Sequence, residues 1–161
     1  MENQQDELID KWLKGIETAG TSANAFGWVI LCAYPVFSYL LGQTGHVKTI
    51  MIWFVFILPL MAFYIYSGKY IKHMVGPNVP YYLLANAISS ILLIKGLIPL
   101  ILSYQSFKAY AYFSKVSKTD IVVKTDENKS RINNSEIVTF IAILIVGSLI
   151  VFLKSNFGIS E

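Results

Sequence analysis

The chain has 161 residues, of which 55% are hydrophobic, 14% aromatic and 14% charged, with a formal net charge of +3. Soluble domains carry about a quarter charged residues, yet here, of 13 Lys+Arg and 10 Asp+Glu, only Lys95 falls inside one of four long apolar windows. That distribution excludes a disordered chain, a nucleic-acid binder and a disulfide scaffold, and it predicts an all-α, polytopic membrane protein.

Residues 1–24 are acidic rather than basic, and no A-x-A-like site follows the first apolar run, so a signal peptide is not expected. Leu8, Ile9, Trp12, Leu13 and Ile16 share one helical stripe, with Asp6, Glu7, Asp10, Lys14 and Glu17 mostly elsewhere. This predicts a short amphipathic helix. Its net negative charge disfavours anionic lipid, so Trp12 and Leu13 are expected to contact a protein partner.

Three apolar windows follow, at 25–41, 49–66 and 81–104, and a fourth begins at 137 in the terminal segment 137–161. About 20 helical residues cross the hydrocarbon layer, so a four-transmembrane-helix bundle is expected. Gly42 to Gly45, Ser67-Gly68-Lys69 and Gly76 to Pro80 read as the breaks between the first three windows. Trp28, Trp53, Tyr64, Tyr66, Tyr81, Tyr82 and Tyr104 lie near window ends, where amphipathic rings favour the membrane interface.

Residues 105–136 read as a basic amphipathic extension followed by a polar loop. Lys108 and Lys115 share one side of the extension, away from Phe107, Tyr110 and Phe113, and Lys118 follows. These three lysines suit an anionic membrane surface. Four spans put seven cations (Lys48 and those of 105–136) opposite five (Lys11, Lys14, Lys69, Lys72 and Lys154). The Lys-rich loop 105–136 is therefore expected to be cytoplasmic, with both tails outside and a bacterial inner membrane as the setting.

No Asp or Glu occurs between Glu17 and Asp120, so the first three windows cannot build paired carboxylates or an acidic proton relay. One cysteine (Cys32) and two histidines (His46 and His73) do not make a metal site. No nucleophile–base motif is present, and neither an enzyme nor a cofactor is expected.

Lys95 is the one intramembrane charge, where a central lysine costs on the order of 2.5–3.5 kcal/mol. Asn86 lies nine positions earlier on the opposite helical face, and Ala85, Ser89 and Gly96 form a small-residue stripe between them. These five residues are the candidate contacts for a partner or ligand. Pro35, Pro59 and Pro99 each fall inside one of the first three windows and can bend it. The expected function is non-catalytic: an accessory, assembly, immunity or regulatory subunit working through helix contacts with a larger membrane protein. The alternative is a small homo-oligomeric channel or transporter for an anion or lipid.

Overall fold

The computed structural model describes residues 2–43, 47–74, 78–92, 96–117 and 131–157, without the side chains of 2–4, 41–43, 47–54, 154, 155 and 157. Among them are five helices and no strand. These are α1 (Glu2–Gln43), α2 (Val47–Lys72), α3 (Val79–Leu92), α4 (Leu97–Val116) and α5 (Asn134–Phe157). They form two compact units, Met1–Ala25 with Tyr64–Arg131, and Phe26–Phe63 with Ile132–Glu161.

Two expectations are corrected. The amphipathic segment is not a separate short helix, because α1 runs through it for 42 residues. Residues 18–25 (Thr-Ala-Gly-Thr-Ser-Ala-Asn-Ala) are weakly apolar, but they hold no proline to stop a helix. The window 81–104 is likewise not one helix: α3 ends at Leu92, α4 begins at Leu97, and the two pack on each other. Gly96 is the N-cap of α4 in an extended conformation (φ −171°, ψ 170°). Pro99 then sits in the first turn, where no intrahelical N–H is needed. It belongs to a helix start rather than a mid-span kink.

In the first unit, each contact fixes a direction. Gly20 of α1 meets Lys72 of α2, and Asn24 meets Gly68. On α3, Tyr82 stacks near Tyr70 while Asn86 meets Ser67. On α4, Tyr112 lies against Gly15 and Lys115 over Trp12. Rising numbers on one helix match falling numbers on the next, so α1 to α4 run up, down, up, down. Trp12, Lys72, Val79 and Val116 therefore mark one end of this unit. Its core is Ile16, Ala19, Ile71, Val79, Leu83 and Ala109.

The second unit is thinner. Leu31, Ser38, Met61 and Val151 are buried within the fold, and Gly147 of α5 seats the ring of Tyr34. At its start, α5 has the Glu half of a capping box: Asn133 N–H donates to Glu136 Oε2 at 2.9 Å, while Glu136 N–H donates to the Asn133 backbone carbonyl at 2.9 Å. Among the described residues, two helical segments are long and apolar enough to cross a membrane, Gln5–Leu40 and Asn134–Leu153. The expected four spans are reproduced only to that extent. Only 22% and 11% of these windows is buried within the fold, unlike the core helix of a soluble protein.

Candidate functional site

The most enclosed polar residues lie between α2 and α3. Tyr64, Ser67, Gly68 and Ile71 form one stripe of α2 at helical spacing, and Leu83, Asn86 and Ser90 form one on α3. The Tyr64 hydroxyl is 2.8 Å from Ser89 Oγ and 2.7 Å from Ser90 Oγ. Ser67 Oγ donates to Asn86 Oδ1 at 3.0 Å, and Ser89 Oγ to the Asn86 carbonyl at 3.2 Å. Tyr64, Ser67, Asn86 and Ser90 are fully buried. Beside them, Asn24 Nδ2 donates to the Ile65 carbonyl at 2.9 Å, tying α1 to α2. Asn86 Nδ2 in this network, and Gln105 Oε1 and Ser106 Oγ on α4, are buried without a hydrogen-bond partner among the described residues.

Small residues let these helices approach. A Cβ on Gly20 would strike the Lys72 backbone, and one on Gly68 the Asn24 backbone. Small and hydroxyl side chains at helix crossings are typical of helices packed in lipid, and here they lie beside the bulkier core of Ile16, Ile71 and Leu83. The outside shows the complement, with Leu92 82%, Leu97 71% and Tyr81 70% exposed.

A second feature is an open groove of about 520 Å³ between α1 and α4. Lys11, Lys14, Gly15 and Thr18 line one wall, while Ile101, Tyr104, Gln105, Lys108 and Tyr112 line the other. Lys108 Nζ lies 5.9 Å from the Tyr104 ring centroid and 5.8 Å from that of Tyr112. Lys115 Nζ lies outside the groove, 5.5 Å from the Trp12 ring centroid.

The residues singled out in the sequence divide accordingly. Asn86 and Ser89 enter the buried network, and Ala85 is half-buried next to it. Gly96 is not part of their stripe: it caps another helix, and a Cβ there would meet only the Pro99 ring at 3.9 Å. Lys95 and Lys118 lie outside the described residues. Trp12 and Leu13 are half-buried, and their stripe is largely spent inside the chain, with Ile9 and Ile16 buried. Cys32 is exposed.

Tyr64, Ser67, Ser90 and the glycines 15, 20, 68 and 147 were not legible as site residues. Ser67-Gly68 reads as a stop, but α2 continues to Lys72. The signal was present in the spacing, since Tyr64, Ser67, Gly68 and Ile71 repeat at 3, 4 and 7. Among the described residues, no three of His, Cys, Asp and Glu converge on a metal position. No protein-family model, curated protein or solved structure matches the chain.

Proposed function

We propose that the chain is an integral membrane protein that works without catalysis, as an accessory, assembly or regulatory subunit of a larger membrane protein. The observation that carries this reading is α5, which leaves Ile137, Val138, Ile141, Ile145, Val146, Leu149 and Phe152 uncovered around about half of its girth. A 24-residue helix this bare must find lipid or a partner helix. The buried network supports the non-catalytic part: its hydroxyls and the Asn86 Oδ1 join α2 to α3, and its one titratable group is a tyrosine.

The up-down order also supports a membrane topology different from four simple spans. In this topology α1, α2 and α5 cross, while α3 and α4 enter and return as a hairpin. Lys69 Nζ donates to the Arg131 carbonyl at 3.2 Å, which agrees with both lying at the Trp12–Val116 end. Lys11, Lys14, Lys69, Lys72, Lys108, Lys115 and Arg131 then belong to one side, and Lys118, Lys124 and Lys129 follow in the sequence joining α4 to α5. Lys48 and Lys154 belong to the other. Ten against two is a far stronger cytoplasmic signal than seven against five. The N-terminus moves to the cytoplasm with loop 105–136, and the C-terminus stays outside.

The test is purification of the tagged full chain in mild detergent, paired with reconstitution of the chain alone into vesicles. The expected result is a larger membrane protein recovered in fixed ratio and no anion flux from the chain alone. Flux from the chain alone, with no partner recovered, would favour the channel or transporter instead.

A further inference from the structure

We infer that the α1–α4 groove binds the phosphate headgroup of an anionic phospholipid, an inference that rests on the membrane reading above. Its volume of about 520 Å³ lies in the range of pockets that take whole ligands, about 300–1,000 Å³. The lining is graded along the helix axes. Because α4 runs opposite to α1, with Gly15 against Tyr112 and Trp12 against Lys115, Lys11 and Lys14 lie toward the end marked by Trp12, Lys108 lies ~7 Å deeper than Lys14, and Ile101 lies ~10 Å deeper again, at ~1.5 Å per residue. A basic mouth leading to an apolar floor matches a phosphate joined to an acyl chain.

The surroundings favour an anion with a tail over a soluble one. Leu97, Leu100, Ile101, Tyr104 and Phe107 are all exposed on α4 around the apolar stretch. An apolar ligand, the bilayer or a partner helix covers such a surface favourably, whereas a soluble anion does not.

The cations are available. Among the described residues, no carboxylate pairs with Lys11, Lys14 or Lys108. Glu7, Asp10 and Glu17 instead line a separate depression beside Leu13 and Met74, which Lys11 and Lys14 also border. Lys108 has no acidic neighbour there and is held between the Tyr104 and Tyr112 rings, so little side-chain freedom is lost when it meets an anion. Glu7, Asp10 and Glu17, whose charge in the sequence argued against anionic lipid, line that depression and not the groove.

The experiment is native mass spectrometry of the detergent-purified full chain, titrated with phosphatidylglycerol and, separately, phosphatidylcholine. The wild-type chain is expected to retain phosphatidylglycerol preferentially. Lys108→Gln should weaken that retention about fivefold, the loss expected for one lysine at an anionic surface. Lys115→Gln removes the same charge outside the groove and should change retention less than twofold. Equal losses from both variants would mean diffuse surface attraction and overturn the groove assignment, as would a wild-type chain with no lipid preference. Displacement by inorganic phosphate at matched concentration would make the ligand a soluble anion and overturn it too. Carbonate extraction of wild-type membranes keeps the two levels apart, because release of the chain there defeats the membrane reading itself.

Discussion

The two compact units solve the problem of holding apolar helices together in different ways. The unit built from residues 1–25 and 64–131 turns small and polar groups inward and closes them with hydrogen bonds, as at Tyr64, Ser67, Asn86, Ser89 and Ser90. The unit built from residues 26–63 and 132–161 has few buried side chains, and its α5 is almost bare. Specific contacts define the first, whereas the second depends on whatever surrounds it. Substitutions should therefore separate them by kind as well as by size.

The largest effect is expected from a charge on the bare helix. Ile145 is 57% exposed; in the proposed membrane setting it would meet lipid or a partner, so Ile145→Arg should cost about 2.5–3.5 kcal/mol of insertion free energy. Membrane-fraction yield or a glycosylation-site insertion assay would read this. Full insertion of Ile145→Arg would show that α5 does not face hydrocarbon at that position.

Next come the glycine seats, which compare the units directly. Gly20→Ala drives a methyl group into the Lys72 backbone, which cannot swing aside, and should destabilise by about 1–3 kcal/mol. Gly147→Ala meets the Tyr34 side chain rather than a backbone, so its loss should be smaller than that of Gly20→Ala. Unfolding of both variants in mixed micelles with rising denaturing detergent gives the two values. The reverse order would mean that the close α1–α2 crossing does not limit stability.

The smallest effect belongs to the hydrogen-bond network. Tyr64→Phe keeps the ring and removes the hydroxyl shared by Ser89 and Ser90, and should cost about 0.6–1.7 kcal/mol in the same assay. A double-mutant cycle with Ser90→Ala should show coupling between the two sites. Strict additivity would mean that the network contributes nothing to joining α2 and α3.

How far the sequence carries differs between the same two regions. The apolar runs at 25–41, 49–66 and 137–153 all fall within helices, because length and hydropathy alone suffice where surroundings do the covering. The basic extension past Tyr104 is helical to Val116, with no breaker to end it sooner. Within the first unit, hydropathy misleads. The α3–α4 reversal is flanked by apolar residues, so the run 81–104 looks unbroken, although Gly96 followed by Pro99 at first-turn spacing is the mark of a new helix. Ser67-Gly68 resembles a stop because small residues serve turns and helix crossings alike, and only the partner backbone at Asn24 tells them apart. Asn86 stands out by polarity, but its bond to Ser67 depends on α2 and α3 running antiparallel.

The reversal of α3 into α4 decides the topology, and reporters fused at the N-terminus, near Asn128 and at Glu161 test it most directly. With α3 and α4 as a returning hairpin, the N-terminal and Asn128 reporters should both read cytoplasmic and the Glu161 reporter should read outside. An N-terminal reporter on the side opposite Asn128 would instead make residues 81–104 a single crossing and contradict the hairpin.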